Sequence, residues 1–337
     1  MDEEIIMFEN ILTLETFEII LSMIGIPLIA FAISTWIPGI QRKIQARIQQ
    51  RKGPSISSPG FWAIFKYLYK EAKEPVSDLP KLFKFMPLLS FIIVWMVLAL
   101  TTVVHFHILS NEIGIIGLLK IEEMSYIIMG SLASTVMGIR MPFIDECKGS
   151  GYLKTIKITL GQLSAVRAFK MITVGSFPFY LATLLPFIPH KSIFLNNLIG
   201  NSFLFTLGGL FGALAYIIGY IIMTKDYPFS IMHTKADVIE GPTMEYSGKY
   251  RAFYLSVKEL LMITLGSLFA TLYLGIAPDI LNPITIVMNF AVALVFPIIS
   301  AVVSAYTPVF TFRQVYPVSL FATVLGLIGA LLALLGV

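Results

Sequence analysis

The chain has 337 residues, of which 57% are hydrophobic and 13% are charged, and its formal net charge is +4 at pH 7. Soluble domains carry about 25% charged residues, so this composition excludes an ordinary soluble protein and is typical of a membrane protein. The single cysteine, Cys147, excludes an intrachain disulfide and a cysteine cluster for zinc or iron–sulfur. The four histidines form no haem or zinc pattern.

Eight stretches are long and apolar enough to cross a membrane, since a spanning helix needs about 20 apolar residues. The predicted fold is therefore all-α, a polytopic membrane protein with about eight transmembrane helices in a single integral membrane domain over residues 1–337. The acidic N-terminus predicts no cleavable signal peptide. Pro178 predicts a kink in the fourth stretch. In chain order the stretches are 16–38, 84–106, 124–144, 158–188, 202–223, 252–276, 283–306 and 316–337.

The distribution of Lys and Arg predicts the orientation of these spans. Nineteen of the 24 basic residues fall in the loops on one side, and two, Lys120 and Lys191, fall on the other. Because basic loops stay in the cytoplasm, we expect a multi-pass protein of the cell membrane with cytoplasmic basic loops and both termini outside.

The first cytoplasmic loop, residues 39–83, holds ten Lys and Arg residues when Lys84 is included. Within it, residues 60–71 place Phe61, Ile64, Phe65 and Leu68 on one face of a predicted amphipathic helix. The preceding Gly and Pro residues predict a rigid turn. The loop is interpreted as a docking surface for soluble subunits, and a basic helix lying on lipid remains the alternative.

Charged residues at membrane depth are costly, so they are candidates for a functional site. Arg167 and Lys170 lie on one face of the fourth span, with Arg167 expected to pair with a carboxylate. The loop at 224–251 contains acidic residues beside a Gly-Pro turn. Two interpretations of that loop remain equally open: the loop lines a proton path, or it forms a salt-bridged contact with a neighbouring subunit. The full set of charge-path candidates is Asp145, Glu146, Arg167, Lys170, His233, Asp237, Glu240, Glu245, Lys258 and Glu259.

Three stretches of sequence carry a resemblance to a known family. They are Gln41-Arg42-Lys43 with Gln49 to Pro54, Ser58-Pro59-Gly60 and Lys73-Glu74-Pro75; Arg167-Ala168; and Pro228-Phe229 with Gly241 and Glu245-Tyr246-Ser247-Gly248. In order and spacing the chain resembles the NADH dehydrogenase subunit 1 family of complex I. That family has relatives in membrane-bound hydrogenases and sulfane reductases.

The resemblance implies a subunit at the junction between the peripheral and membrane arms of an ion-translocating redox complex. It assigns a docking and cavity region to Arg42, Lys43, Arg51, Gly53 and Pro54. The implied partners are a hydrogenase-like large subunit, a cluster-bearing small subunit, small membrane subunits, antiporter-like subunits and the lipid bilayer, with no nucleic acid. Iron–sulfur clusters are expected in partner subunits. This chain itself is expected to bind neither a cofactor nor a metal. The chain is then non-catalytic alone.

Several family glutamates are absent from their expected positions. These positions hold Ser176, His233, Lys235 and Lys258, and Glu259 comes one residue late. Because His has an ordinary pKa of about 6.5, His233 could replace one of these acids. The losses favour the ferredoxin-driven hydrogenase or sulfane reductase type over a quinone-binding subunit of NADH:quinone oxidoreductase, which remains an alternative.

Two other interpretations remain. A stand-alone transporter or channel would use Arg167, Lys170 and Glu259 as its substrate site. An intramembrane enzyme finds no support, because no paired-histidine helix and no Gly-x-Ser-x-Gly motif occur.

Overall fold

A computed structural model describes residues 2–73, 77, 79–102, 110–133, 138–139, 158–233, 241 and 245–336. Two strands of two residues, β1 (Gly138–Ile139) and β2 (Ile158–Thr159), pair antiparallel, and Leu195–Leu198 form a 3-10 turn. The helices are α1 (Asp2–Ser34), α2 (Ile37–Ile48), α3 (Phe61–Leu68), α4 (Pro80–Thr102), α5 (Glu112–Ser131), α6 (Leu160–Gly175), α7 (Phe177–Leu184), α8 (Phe187–His190), α9 (Leu207–Met223), α10 (Gly248–Leu274), α11 (Pro283–Tyr306) and α12 (Phe312–Leu335).

The predicted all-α membrane fold is confirmed. Within the described residues, five helical stretches are long and apolar enough to cross a membrane, and α9 is a shorter apolar helix. The five are Thr16–Ile48, Pro80–Thr102, Gly248–Leu274, Pro283–Tyr306 and Phe312–Leu335. Together with α9 they correspond to six of the eight predicted spans.

The third predicted span is misplaced. The helix there is α5, which begins at Glu112, twelve residues before the predicted start. Residues 120–123 contain three charges, and a search for apolar stretches therefore excluded them. The prediction that put Lys120 in an outer loop is wrong for the same reason, because Lys120 lies inside α5.

The fourth predicted span is broken where Pro178 predicted a kink. Helix α6 ends at Gly175 and α7 begins at Phe177, with Pro178 in its first turn. Proline is accepted there because the first helical N–H groups have no partner inside the helix. The break leaves Ser176 between two short helices, facing the interior.

The centre of the bundle is α10, of which 89% of the spanning stretch is buried. It packs against α1, α3, α4 and α11, while α4 also packs against α5, and α9 packs against α7 and α12. Buried tyrosines fill the core, and the hydroxyls of Tyr216, Tyr220 and Tyr273 donate to backbone carbonyls. Tyr216 donates to Leu265 O at 2.7 Å, and Tyr273 donates to Ala182 O at 2.8 Å.

The first loop is held tightly against the bundle. The N–H of Arg51 donates to Ala46 O at 2.8 Å, which closes the end of α2. Gly39 lies so close to Ile56 that a Cβ would stand 1.6 Å from the Ile56 carbonyl oxygen. The predicted amphipathic helix exists as α3, but Ile64 packs inward while Phe65 and Leu68 remain exposed.

Candidate functional site

A buried ion pair joins the end of α9 to the middle of α5. Lys225 follows α9 with φ 57°, and its N–H donates to Ile222 O at 3.1 Å. Its Nζ then lies 3.2 Å from Oε1 of Glu122 and 4.3 Å from the centre of the Tyr126 ring. Both charged side chains are buried, so each depends on the other for compensation of its charge.

Asp226, the next residue, collects contacts from three helices. Its carboxylate lies 2.8 Å from Nζ of Lys258 on α10 and accepts hydrogen bonds from Ser300 at 2.7 Å and from Gln41 at 3.2 Å. Gln41 belongs to α2, the helix that opens the first loop. The interior charges are therefore connected directly to the proposed docking region.

A small cavity lies between the Lys225 and Lys258 ion pairs, and its wall includes Glu122, Thr224 and His233. Its volume is about 20 Å³. That is enough for about one water molecule. Within the cavity the His233 ring lies 3.1 Å from the Tyr126 hydroxyl and 3.4 Å from the Tyr254 hydroxyl.

A second lysine–glutamate pair lies on another side of α5. Nζ of Lys120 is 2.7 Å from Oε2 of Glu123, donates to the Ser176 hydroxyl at 2.9 Å, and sits 4.2 Å from the centre of the Tyr180 ring. Glu122 and Glu123 therefore each belong to a lysine–glutamate–tyrosine group. Because successive helical residues point in different directions, the two groups face different neighbours.

The docking residues predicted from the sequence lie together in the first loop. Arg42, Arg51 and Pro54 are exposed, and Lys43 and Gly53 are half-buried. This arrangement agrees with a surface contact, and its role remains a prediction.

Arg167 and Lys170 occupy different environments on α6. Arg167 is half-buried and donates to the Ile231 carbonyl at 3.3 Å. Lys170 is exposed, with its Nζ 5.9 Å from the centre of the Phe312 ring. The two residues therefore do not form a common buried site.

Glu259 is a buried acid, and Glu245 is a half-buried acid in a different part of the structure. Glu259 lies in α10, with Lys258 and Arg42 as its charged neighbours. Glu245 lies in the loop before α10, and both of its carboxyl oxygens are buried. Burial raises the pKa of Glu245 to about 7. Four charge-path candidates, Asp145, Glu146, Asp237 and Glu240, lie outside the described residues.

Sequence reasoning missed five charged residues at the centre of the site. The missed residues are Lys120, Glu122, Glu123, Lys225 and Asp226. A signal was present, since Lys120 and Glu123 stand at the i, i+3 spacing of a helical ion pair.

Fold and site together define the class: an all-helical membrane protein with paired charges inside its bundle. The family described as NADH dehydrogenase matches residues 19–137 and 159–335 of the sequence. The chain therefore belongs to the NADH dehydrogenase family, the complex I subunit 1 type. Membership makes it a membrane subunit of a complex I-related redox complex.

Three similar proteins illustrate the range of this family. An uncharacterised protein of Methanocaldococcus jannaschii is 66% identical over 94% of this chain and 98% of its own. A subunit of the NADH-quinone oxidoreductase of Pelagibacter ubique is 24% identical over 90% of this chain and 89% of its own. In structure, a chain of the membrane-bound sulfane sulfur reductase, an archaeal respiratory membrane complex, matches with a TM-score of 0.75 and 20% identity. That match covers 94% of this chain and 99% of the other.

Proposed function

We propose that this chain joins the peripheral and membrane arms of a ferredoxin-driven complex of the hydrogenase or sulfane reductase type. The first loop holds the peripheral arm, and the interior charges couple redox chemistry to ion translocation. The large subunit and the iron–sulfur clusters reside in partner proteins. The basic loops face the cytoplasm and both termini face outward.

One contact carries the proposal: the hydrogen bond of 3.2 Å from Gln41 to Asp226. Gln41 lies at the base of the docking loop, and Asp226 forms an ion pair with Lys258 beside the cavity. A displacement of α2 by a partner subunit would therefore change the polar contacts of Asp226. A change in hydrogen bonding or in a neighbouring charge changes the proton affinity of nearby groups.

The lost family glutamates have replacements nearby. Ser176, at one such position, accepts a hydrogen bond from Lys120, which forms an ion pair with Glu123. Lys258, at another, is paired with Asp226. The Lys120–Glu123 and Lys258–Asp226 ion pairs therefore keep charged groups at these places in the bundle. The carboxylate pattern usual in quinone-reducing enzymes is absent, which supports the ferredoxin-driven type.

Within the described residues, the cavity of about 20 Å³ between the ion pairs accommodates about one water molecule and does not hold a quinone by itself. The stand-alone transporter would need Arg167, Lys170 and Glu259 in one site, whereas Lys170 is exposed on α6 and Glu259 is buried in α10.

The experiment is purification of the tagged chain in mild detergent, with identification of its partners and detection of iron–sulfur signals by paramagnetic resonance. We expect a hydrogenase-like large subunit, a cluster-bearing subunit and antiporter-like membrane proteins, with reduction by ferredoxin. Recovery of the chain alone, active in moving a solute across liposomes, would overturn the proposal. Reduction of quinone by NADH in the purified complex would favour the quinone-binding alternative.

A further inference from the structure

Two exposed cations lie on neighbouring helices at the outer surface of the bundle. They are Lys170 on α6 and Arg313 on α12. The helices are packed together, since the Ser319 hydroxyl donates to the Val174 carbonyl at 2.7 Å. Nζ of Lys170 lies 5.9 Å from the centre of the Phe312 ring, and Phe312 directly precedes Arg313. Within the part of the chain that the structure describes, neither cation forms an ion pair with a carboxylate.

An aromatic surface accompanies the two cations. The rings of Phe312 and Tyr316 are stacked, with their centres 6.1 Å apart. Tyr316 is exposed, and it follows Arg313 by three residues, a spacing that places both side chains on the same side of a helix. Lys170, Phe312, Arg313 and Tyr316 are called the basic–aromatic patch below.

The basic–aromatic patch lies at the end of the bundle that carries the docking loop. The N–H of Phe310, just before α12, donates to the Pro228 carbonyl at 2.8 Å. Pro228 follows Asp226 by two residues, and Asp226 accepts the hydrogen bond from Gln41 at the base of the docking loop. From this end α12 continues as an apolar helix of 24 residues, long enough to cross a membrane. The patch therefore lies at the level where α12 enters the membrane.

Exposed apolar side chains continue from the patch along both helices. Phe169, next to Lys170 on α6, is 55% exposed, and Leu320, one turn after Tyr316 on α12, is 68% exposed. Basic and aromatic side chains beside an apolar surface are typical of the membrane–water interface. There a long cationic side chain keeps its stem against apolar groups and its charge among the lipid headgroups.

We infer that the basic–aromatic patch binds the headgroup of an anionic phospholipid in the leaflet on the docking-loop side of the membrane. The phosphate lies between the Lys170 ammonium and the Arg313 guanidinium, whose parallel N–H groups suit phosphate oxygens. The Tyr316 hydroxyl donates to the headgroup, and the acyl chains lie along Phe169 and Leu320. Such a lipid matches the surface in order, with its anionic part at the cations and its apolar part at the exposed apolar side chains. Lipid binding here is independent of the redox role proposed above.

The test measures lipid binding to the purified complex by native mass spectrometry in mild detergent, with added phosphatidylglycerol or phosphatidylcholine. The wild type should bind phosphatidylglycerol more tightly. Lys170→Gln and Arg313→Gln should each lower its apparent affinity for phosphatidylglycerol about fivefold, because each basic residue attracts the anionic lipid. Charge-preserving Lys170→Arg should retain the affinity of the wild type.

The matched control is Lys249→Gln, which removes one exposed lysine at the start of α10, outside the patch. It should leave the affinity for phosphatidylglycerol unchanged. An equal loss in Lys249→Gln and Lys170→Gln would show a general attraction to positive charge and overturn the inference. An unchanged affinity in both Lys170→Gln and Arg313→Gln would overturn it as well.

A second measurement uses the wild-type complex, so it also decides the case if a variant fails to assemble. Phosphatidylglycerol with a photoreactive diazirine in its acyl chain is added, the sample is illuminated, and labelled peptides are identified by mass spectrometry. Labelling of the peptides with Phe169 or Leu320 that excess phosphatidylglycerol suppresses, and phosphatidylcholine does not, supports the site. Equal suppression by both lipids, or labelling confined to another subunit covering the patch, overturns it. Neither readout uses electron transfer, so failure of the proposed function would leave both results unchanged.

Discussion

Lys225 has a left-handed backbone conformation at the end of α9, a position where glycine is the usual residue. A side chain in that conformation costs on the order of 1 kcal/mol. Lysine nevertheless stands there, because this geometry directs its ammonium group into the bundle, 3.2 Å from Glu122. The strained backbone at Lys225 is therefore the cost of placing its charge beside Glu122 in the interior.

Replacement of Lys225 by methionine should strongly destabilise the protein. Removal of one partner leaves Glu122 buried without its counter-charge, which costs about 3–5 kcal/mol. The additional change Glu122→Gln should restore part of the loss, since the remaining partner is then neutral. Thermal unfolding of the purified protein in detergent measures the effect. Lys249→Met, at an exposed lysine, is the control, and an equal effect in both variants would contradict the prediction.

Glu245 predicts a pH dependence of stability with a definite sign. Its pKa is about 7 in the folded protein, against an ordinary value of 4.5. Between these values the folded form retains a proton that the unfolded form has released. Stability should therefore fall as pH rises from 4.5 to 7, and this contribution should be constant at higher pH.

The matching experiment compares the wild type with Glu245→Gln. Glutamine has the same shape but does not titrate, so the variant should lose this part of the pH dependence and gain stability relative to the wild type above pH 7. Melting temperatures between pH 5 and 8 measure both effects. Parallel curves for the two proteins would show that the carboxyl does not titrate in this range.

At the scale of elements, the docking loop depends on close contact between α2 and the turn that follows it. A Cβ on Gly39 would stand 1.6 Å from the Ile56 carbonyl oxygen, and one on Gly60 would stand 2.0 Å from the Thr35 carbonyl oxygen. Both contacts involve backbone atoms, which cannot move aside as a side chain can. The loop therefore packs closely against α2 because both sites are glycines, which leave room for the neighbouring backbone.

Gly39→Ala should detach the turn from α2 and weaken the binding of the peripheral arm. The measurement is the amount of cluster-bearing subunit recovered with the tagged chain, together with the rate of proteolysis within the first loop. Gly117→Ala is the matched control, because no atom lies within 4 Å of its Cβ position. In a helix, alanine is about 0.5–1 kcal/mol more favourable than glycine, so the control should be neutral or slightly stabilising. Normal recovery of the arm with Gly39→Ala would contradict the proposed docking role.

Sequence patterns predicted the elements well where a helix is uniformly apolar, is broken at a proline or has one apolar face. The break at Pro178 and the amphipathic α3 are examples. They failed for α5, because Lys120, Glu122 and Glu123 make it polar in composition, although ion pairs and a hydrogen bond to Ser176 satisfy these charges inside the bundle. Ser176 and the Lys225 partner of Glu122 are distant in sequence, so a search of local composition cannot detect the compensation.

The central site shows the same limit. Lys258 and His233 were predicted as candidates from their family positions, but their partners were not. Asp226 binds Lys258, and Tyr126 and Tyr254 contact His233, through contacts between residues that are far apart along the chain. Lys225 was not conspicuous in the sequence, because its importance depends on a left-handed backbone that composition does not reveal.

At the scale of the whole molecule, the proposed orientation makes a direct prediction about access from the two sides. On a background in which the single cysteine is removed by Cys147→Ser, the exposed positions Ser55 and Asn197 are each replaced by cysteine. Asn197→Cys should react with a membrane-impermeant maleimide in intact cells. Ser55→Cys should react with the same maleimide only after the cells have been permeabilised. The reverse pattern would invert the topology and remove the docking loop from the cytoplasm.

Helix α5 also has a consequence for how this protein is made. It carries Glu112, Lys120, Glu122 and Glu123 within 20 residues, and each charge near a helix centre costs about 2.5–3.5 kcal/mol during insertion from the translocon. Such a segment does not partition into lipid on its own. It must remain at the insertion machinery until α6 and the end of α9 have been synthesised, because they supply Ser176 and Lys225. The order of insertion into the membrane therefore differs from the order of synthesis, and a chain truncated before α9 should be left with α5 outside the bilayer and open to degradation.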